Sequence, residues 1–164
     1  MRNPFTIAVL LTFAGAIPFL LCGAVVLLDP LEAGVAIQIL VSYGAVILSF
    51  TGAVHWGFAL RDSAHPGAMT RDALGAERQL LMFGTVPAII GWVALSVMLH
   101  FQAPALALFL LLAGFFITVV VETLGRGRGV VAGNYLVLRW AVSVIVLVVL
   151  LVVLFAVLTG MRMG

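Results

Sequence analysis

The sequence predicts an all-α protein: a polytopic membrane helical bundle with about five transmembrane helices, its N-terminus inside and its C-terminus outside. Three observations carry this. Hydrophobic residues make up 65% of the 164 and charged residues only 9%, with a mean hydropathy of +1.32, whereas soluble domains are roughly half apolar and a quarter charged. The apolar residues gather into about five runs, each long enough to cross a hydrocarbon core of about 30 Å at about 1.5 Å per helical residue. The eight basic residues, all arginines, fall mostly on alternate connections. With short loops between the runs, the whole chain, residues 1–164, reads as a single transmembrane domain.

The first span covers about residues 5–28 and ends at Asp29-Pro30-Leu31-Glu32, a polar turn with a helix breaker. Arg2, the apolar run and Ala14-Gly15-Ala16 imitate a secretory signal with a small-residue cleavage site. The apolar stretch continues well past that site, so an uncleaved anchor is expected. Cys22 lies inside this span without an intrachain partner, and the large Leu21 before it argues against a lipoprotein signal.

The second span, about 33–60, exceeds what a bilayer needs, which predicts tilt or a protruding end. Arg61 to Arg78 is the one long polar stretch, with both signs of charge and Pro66-Gly67, and it is expected to hold a short surface helix capped by Thr70. The remaining spans are about 79–99, 103–121 and 136–158. A very short turn at His100 to Gln102 joins the third and fourth, and a glycine- and arginine-rich connection, Glu122 to Tyr135, joins the fourth and fifth.

Arginine placement orients the bundle. Taking sides alternately, Arg2, Arg61, Arg71, Arg78, Arg126, Arg128 and Arg139 share one side and Arg162 stands alone on the other. Positively charged flanks stay cytoplasmic, so the first side is inside, which in a mitochondrion means the matrix. An odd number of spans follows.

Two proline positions are expected helix kinks. Gly15-Ala16-Ile17-Pro18 and Gly84-Thr85-Val86-Pro87 each place glycine three residues before proline, a faint repeat between the first and third spans. In the second span Ala45, Ser49, Ala53 and Gly57 recur every four residues, which predicts a small-residue packing face.

Projected onto this topology, the polar residues converge on one membrane face. His55, Trp56 and Arg61 fall at the inner end of the second helix, Glu122 at that of the fourth, and Tyr135, Arg139 and Trp140 at the start of the fifth. Glu122 with Arg139 makes a chemically sensible pair, because a guanidinium matches a carboxylate with directed hydrogen bonds. His55, Trp56, Glu122, Tyr135 and Arg139 form the candidate inner-face polar site, for an anionic headgroup, a quinone-like ring or a proton. The alternative is structural: Trp, Tyr and Arg anchor helix ends at membrane interfaces, and an ion pair can simply staple two helices.

Several classes are disfavoured. The net charge of +2 is too small and scattered for nucleic-acid binding. No phosphate loop follows a strand, no His-Glu-x-x-His occurs, and His55, His65 and His100 lack ligand spacing, so neither metal, cofactor nor enzymatic activity is expected.

The string Tyr43-Gly44-Ala45, Ile47-Leu48-Ser49-Phe50, Gly52 and His55-Trp56-Gly57, with Pro18-Phe19 upstream and Tyr135 and Leu138-Arg139 downstream, resembles the family catalogued as domain of unknown function 3429, which takes in transmembrane protein 69. The resemblance covers nearly the whole chain. It implies a small multi-pass protein of the bacterial inner membrane, or of the mitochondrial inner membrane if eukaryotic, with no established activity. In that family the fourth helix usually ends in aspartate and a proline and tryptophan precede the tyrosine of the fifth; Glu122 and Gly133-Asn134 stand at those places here.

The leading expectation is a non-enzymatic assembly factor or accessory subunit of a membrane complex, with the lipid bilayer and other membrane protein subunits as partners. The alternative is a small transporter or carrier of protons, quinone-like or lipid-like molecules through the inner-face site.

Overall fold

The computed structural model describes residues 4–63, 71–126 and 133–160. All regular structure among them is helical: α1 (Pro4–Ala14), α2 (Ile17–Leu28), α3 (Ala33–Ser63), α4 (Arg71–Phe101), α5 (Pro104–Arg126) and α6 (Gly133–Leu158). Among the described residues, five segments are long and apolar enough to cross a membrane: Thr6–Leu28, Ala33–Val54, Leu81–Phe101, Pro104–Leu124 and Val137–Leu158. Their number is the five that the sequence predicts.

The first span is two helices. Gly15 and Ala16 form a turn between α1 and α2, with the Ala16 N–H reaching back only three residues to Phe13. Pro18 therefore opens α2 instead of kinking a continuous helix, which suits a residue with fixed φ and no N–H to donate. The hydroxyl of Tyr43, from α3, donates to the Gly15 carbonyl at 3.0 Å. Pro87 behaves differently, because α4 runs through it without interruption. The two halves of the faint repeat thus have different backbones.

The polar stretch after α3 also departs from expectation. Instead of a short surface helix followed by a separate span, α4 is one helix of 31 residues beginning at Arg71. Thr70, its expected cap, lies outside the described residues. At the other end α4 includes His100, and the turn is Gln102-Ala103. Gln102 takes a left-handed φ of 49° and its amide donates to the Leu99 carbonyl at 3.1 Å, satisfying a terminal acceptor before Pro104 starts α5.

The helices form a ring in which α2, α3, α4, α5 and α6 each pack on the next, α6 returns to α2, and α3 also crosses α5. Phe19, Leu40, Val41, Leu48, Leu108, Leu111, Leu150 and Val153 fill the centre. Phe19 sits edge-on to Tyr43 and Phe115, with ring centroids 5.2 and 5.9 Å away. Outward faces carry Leu21, Phe50, Trp92, Phe101 and Phe155, all well exposed, as a bundle facing lipid requires.

The α3–α4 contact is the most extensive, and backbones touch there. A Cβ on Gly91 would lie 2.9 Å from the Ala45 carbonyl oxygen, and one on Gly52 would collide with the Gly84 carbonyl oxygen. The antiparallel register pairs residue 45 with 91 and 52 with 84. The close-packed face is therefore Ala45 with Gly52, seven residues apart, against Gly84 and Gly91, also seven apart. Of the four-residue series, Ala45 is buried, Ser49 is half-buried and donates its hydroxyl to the Ala45 carbonyl, and Ala53 and Gly57 face outward. A step of four residues rotates about 40° around an α-helix, whereas a heptad drifts only about 20°. The four-residue row walks off the interface before it reaches Gly57.

Candidate functional site

Glu122 sits one turn before the end of α5 and Arg139 in the second turn of α6. The two helices run antiparallel on either side of a short connection, which brings the residues level. Arg139 Nε donates to Glu122 Oε2 at 2.8 Å. Beside them the Trp140 indole N–H donates to Thr123 Oγ1 at 3.1 Å, a second tie between the same helices.

The pair is deeply placed and only half satisfied. The side chains are 3% exposed for Glu122 and 17% for Arg139. Glu122 Oε1 and Arg139 Nη2 are both buried without a hydrogen-bond partner. A buried polar atom left unpaired costs free energy that a well-formed ion pair would otherwise recover. Such an atom calls for a ligand or a structural explanation.

Arg139 also lines a cleft of about 350 Å³ whose walls come from α1, α2, α3 and α6, including Leu11, Thr12, Phe19, Phe50, Thr51 and Val142. The break at Gly15 and Ala16 helps create it: α2 packs on α3 and α6, whereas the main contact of α1 is with α6. The walls are mainly apolar. The two hydroxyl groups among the lining residues are committed as donors, Thr12 to the Ala8 carbonyl at 2.7 Å and Thr51 to the Leu48 carbonyl at 2.7 Å. Arg139 thus supplies the charged end of an otherwise oily cleft.

The expected site is partly reorganised. Glu122 and Arg139 meet, but Trp56 turns to α4 and donates its indole N–H to the Leu81 carbonyl at 3.1 Å. The side chains of His55, on α3, and Tyr135, on α6, lie outside the described ones. Sequence reasoning missed the α1 and α3 walls of the cleft. Only the Gly15-to-Pro18 break hinted that α1 and α2 would part.

A second groove of about 320 Å³, between α5 and α6, is lined by Phe109, Leu112, Ala113, Phe116, Leu147, Val148 and Leu151 and offers no polar side chain.

The profile described as "Protein of unknown function (DUF3429)" matches residues 5–155. The chain belongs to the DUF3429 family. The matched region takes in every membrane-span-like segment of this DUF3429 protein apart from the last turn of α6. None of the curated proteins and none of the solved structures compared with it matches.

Proposed function

We propose that this DUF3429 protein is a non-enzymatic membrane protein that holds an amphipathic molecule drawn from the bilayer, with its apolar part in the cleft and its polar end at Arg139. One observation carries the reading: Arg139, paired with Glu122 at 2.8 Å, is the one charged residue lining an otherwise mainly apolar cleft. Ligand sites are mostly apolar concavities with a few placed polar groups, and this cleft has that composition. Retention fits better than passage. A carrier across the membrane needs a continuous polar path, and among the residues lining this cleft Arg139 is the only charged one.

The arginine asymmetry supports placing that end on the cytoplasmic or matrix side, in a bacterial or mitochondrial inner membrane. An assembly or accessory role is the second reading, favoured by Ala53 and Gly57, which face outward from α3 and leave room for another helix to approach.

The test is purification in mild detergent followed by mass spectrometry of the molecules that accompany the protein. A single apolar small molecule retained by the wild type and lost from Arg139→Ala and Val142→Phe, the latter filling the cleft, supports the ligand reading. A wild-type protein carrying only bulk lipid refutes it, and a stoichiometric protein partner lost on Gly57→Leu establishes the second reading.

A further inference from the structure

We infer that the head of the molecule held at Arg139 is a neutral oxygen acceptor, a carbonyl on an apolar tail, and not an anion. The inference rests on the cleft being a ligand site and goes on to assign the chemistry it selects. Arg139 does not face the cleft as a free cation. Its charge is answered at 2.8 Å by Glu122, whose second oxygen, Oε1, is buried and accepts no hydrogen bond, so the carboxylate charge is not spread onto other donors. An anionic head brought to Arg139 would gain one guanidinium and at the same time approach that carboxylate in a water-poor setting, where like charges repel strongly.

A neutral carbonyl meets no such penalty. It accepts from the guanidinium and leaves the ion pair intact. Thr12 and Thr51 donate to their own helices, so neither hydroxyl proton is free to compete for that oxygen. The aromatic and branched walls, Phe19, Phe50 and Val142 among them, accept a ring or an acyl chain equally. Two sources share this chemistry, the ring carbonyl of a lipid-soluble quinone and the ester carbonyl of a diacylglycerol.

The experiment uses the full chain in nanodiscs of zwitterionic lipid and measures the retention of three probes by native mass spectrometry: a decyl-substituted benzoquinone, a dioctanoyl glycerol and oleate. The wild type should retain one of the two neutral probes more strongly than oleate, and which one it retains identifies the source. Arg139→Ala should weaken that probe about tenfold to a hundredfold, the usual worth of a hydrogen bond to a charged group. Glu122→Gln should reverse the order by raising oleate retention at least about tenfold, because it leaves the guanidinium uncompensated. Val142→Phe keeps the ion pair and should lose every probe. Oleate preferred by the wild type, or neutral-probe retention unchanged by Arg139→Ala, overturns the neutral-head assignment alone. Retention of no probe by the wild type, or retention undiminished in Val142→Phe, overturns the cleft reading beneath it.

Discussion

Removing one member of the Glu122–Arg139 pair should cost far more than removing both. At 2.8 Å the gross attraction is about 6 kcal/mol with an effective dielectric of about 20, and most of it offsets the cost of taking two charges out of water. Glu122→Ala leaves a guanidinium that is mostly buried and has no counter-charge, for which the expected loss is about 3 kcal/mol, the lower end of the range for breaking buried pairs because Arg139 keeps some exposure. Glu122→Leu with Arg139→Leu removes both charges and the two unpaired atoms together, so its stability should lie within about 1 kcal/mol of wild type. The assay is reversible unfolding in mixed micelles, run as a double-mutant cycle and followed by helix signal. A single-variant loss below about 1 kcal/mol, or a double variant as unstable as Glu122→Ala, would show that the pair is solvated and contributes no coupling.

Other predictions follow from the packing. Gly52→Ala pushes a methyl group into the Gly84 backbone and should destabilise by about 1–3 kcal/mol, whereas Gly57→Ala, where an added Cβ meets nothing within 4 Å, should be neutral or stabilising by up to about 1 kcal/mol; the same unfolding assay separates them. Tyr43→Phe strips the donor from the Gly15 carbonyl and should cost about 1 kcal/mol, with faster amide exchange at the α1–α2 turn as the local readout. Trp140→Phe loses only an exposed bond to Thr123 and should leave both stability and ligand retention near wild type, while Arg139→Ala lowers retention.

How much could be read from residues alone is seen in particular elements. Span positions were legible because hydropathy is a local sum, and backbone satisfaction in lipid leaves a long apolar run little choice but helix. The Glu122–Arg139 pair was legible too, since opposite charges at facing ends of two helices joined by a short connection have few other places to go. The register of α3 on α4 is not legible in the sequence, because several small residues lie on α3 at competing spacings and only the partner, with Gly84 and Gly91 seven apart, selects the row used there. Trp56 shows the same limit: its place near a helix end was evident, but its bond to the Leu81 carbonyl depends on how α4 lies across α3.

What the sequence by itself determined is the class, the five spans and the pairing of charges, all of which follow from hydropathy, chain length and connection length. Tertiary structure alone decided that the first span breaks at Gly15 and Ala16, that α3 and α4 meet through Gly52 and Gly84, and that Arg139 closes on a cleft walled by α1, α2, α3 and α6. These are properties of surfaces brought together from distant parts of the chain. Their energies come from shape complementarity between helices in a solvent as apolar as the side chains themselves, and no single segment encodes them.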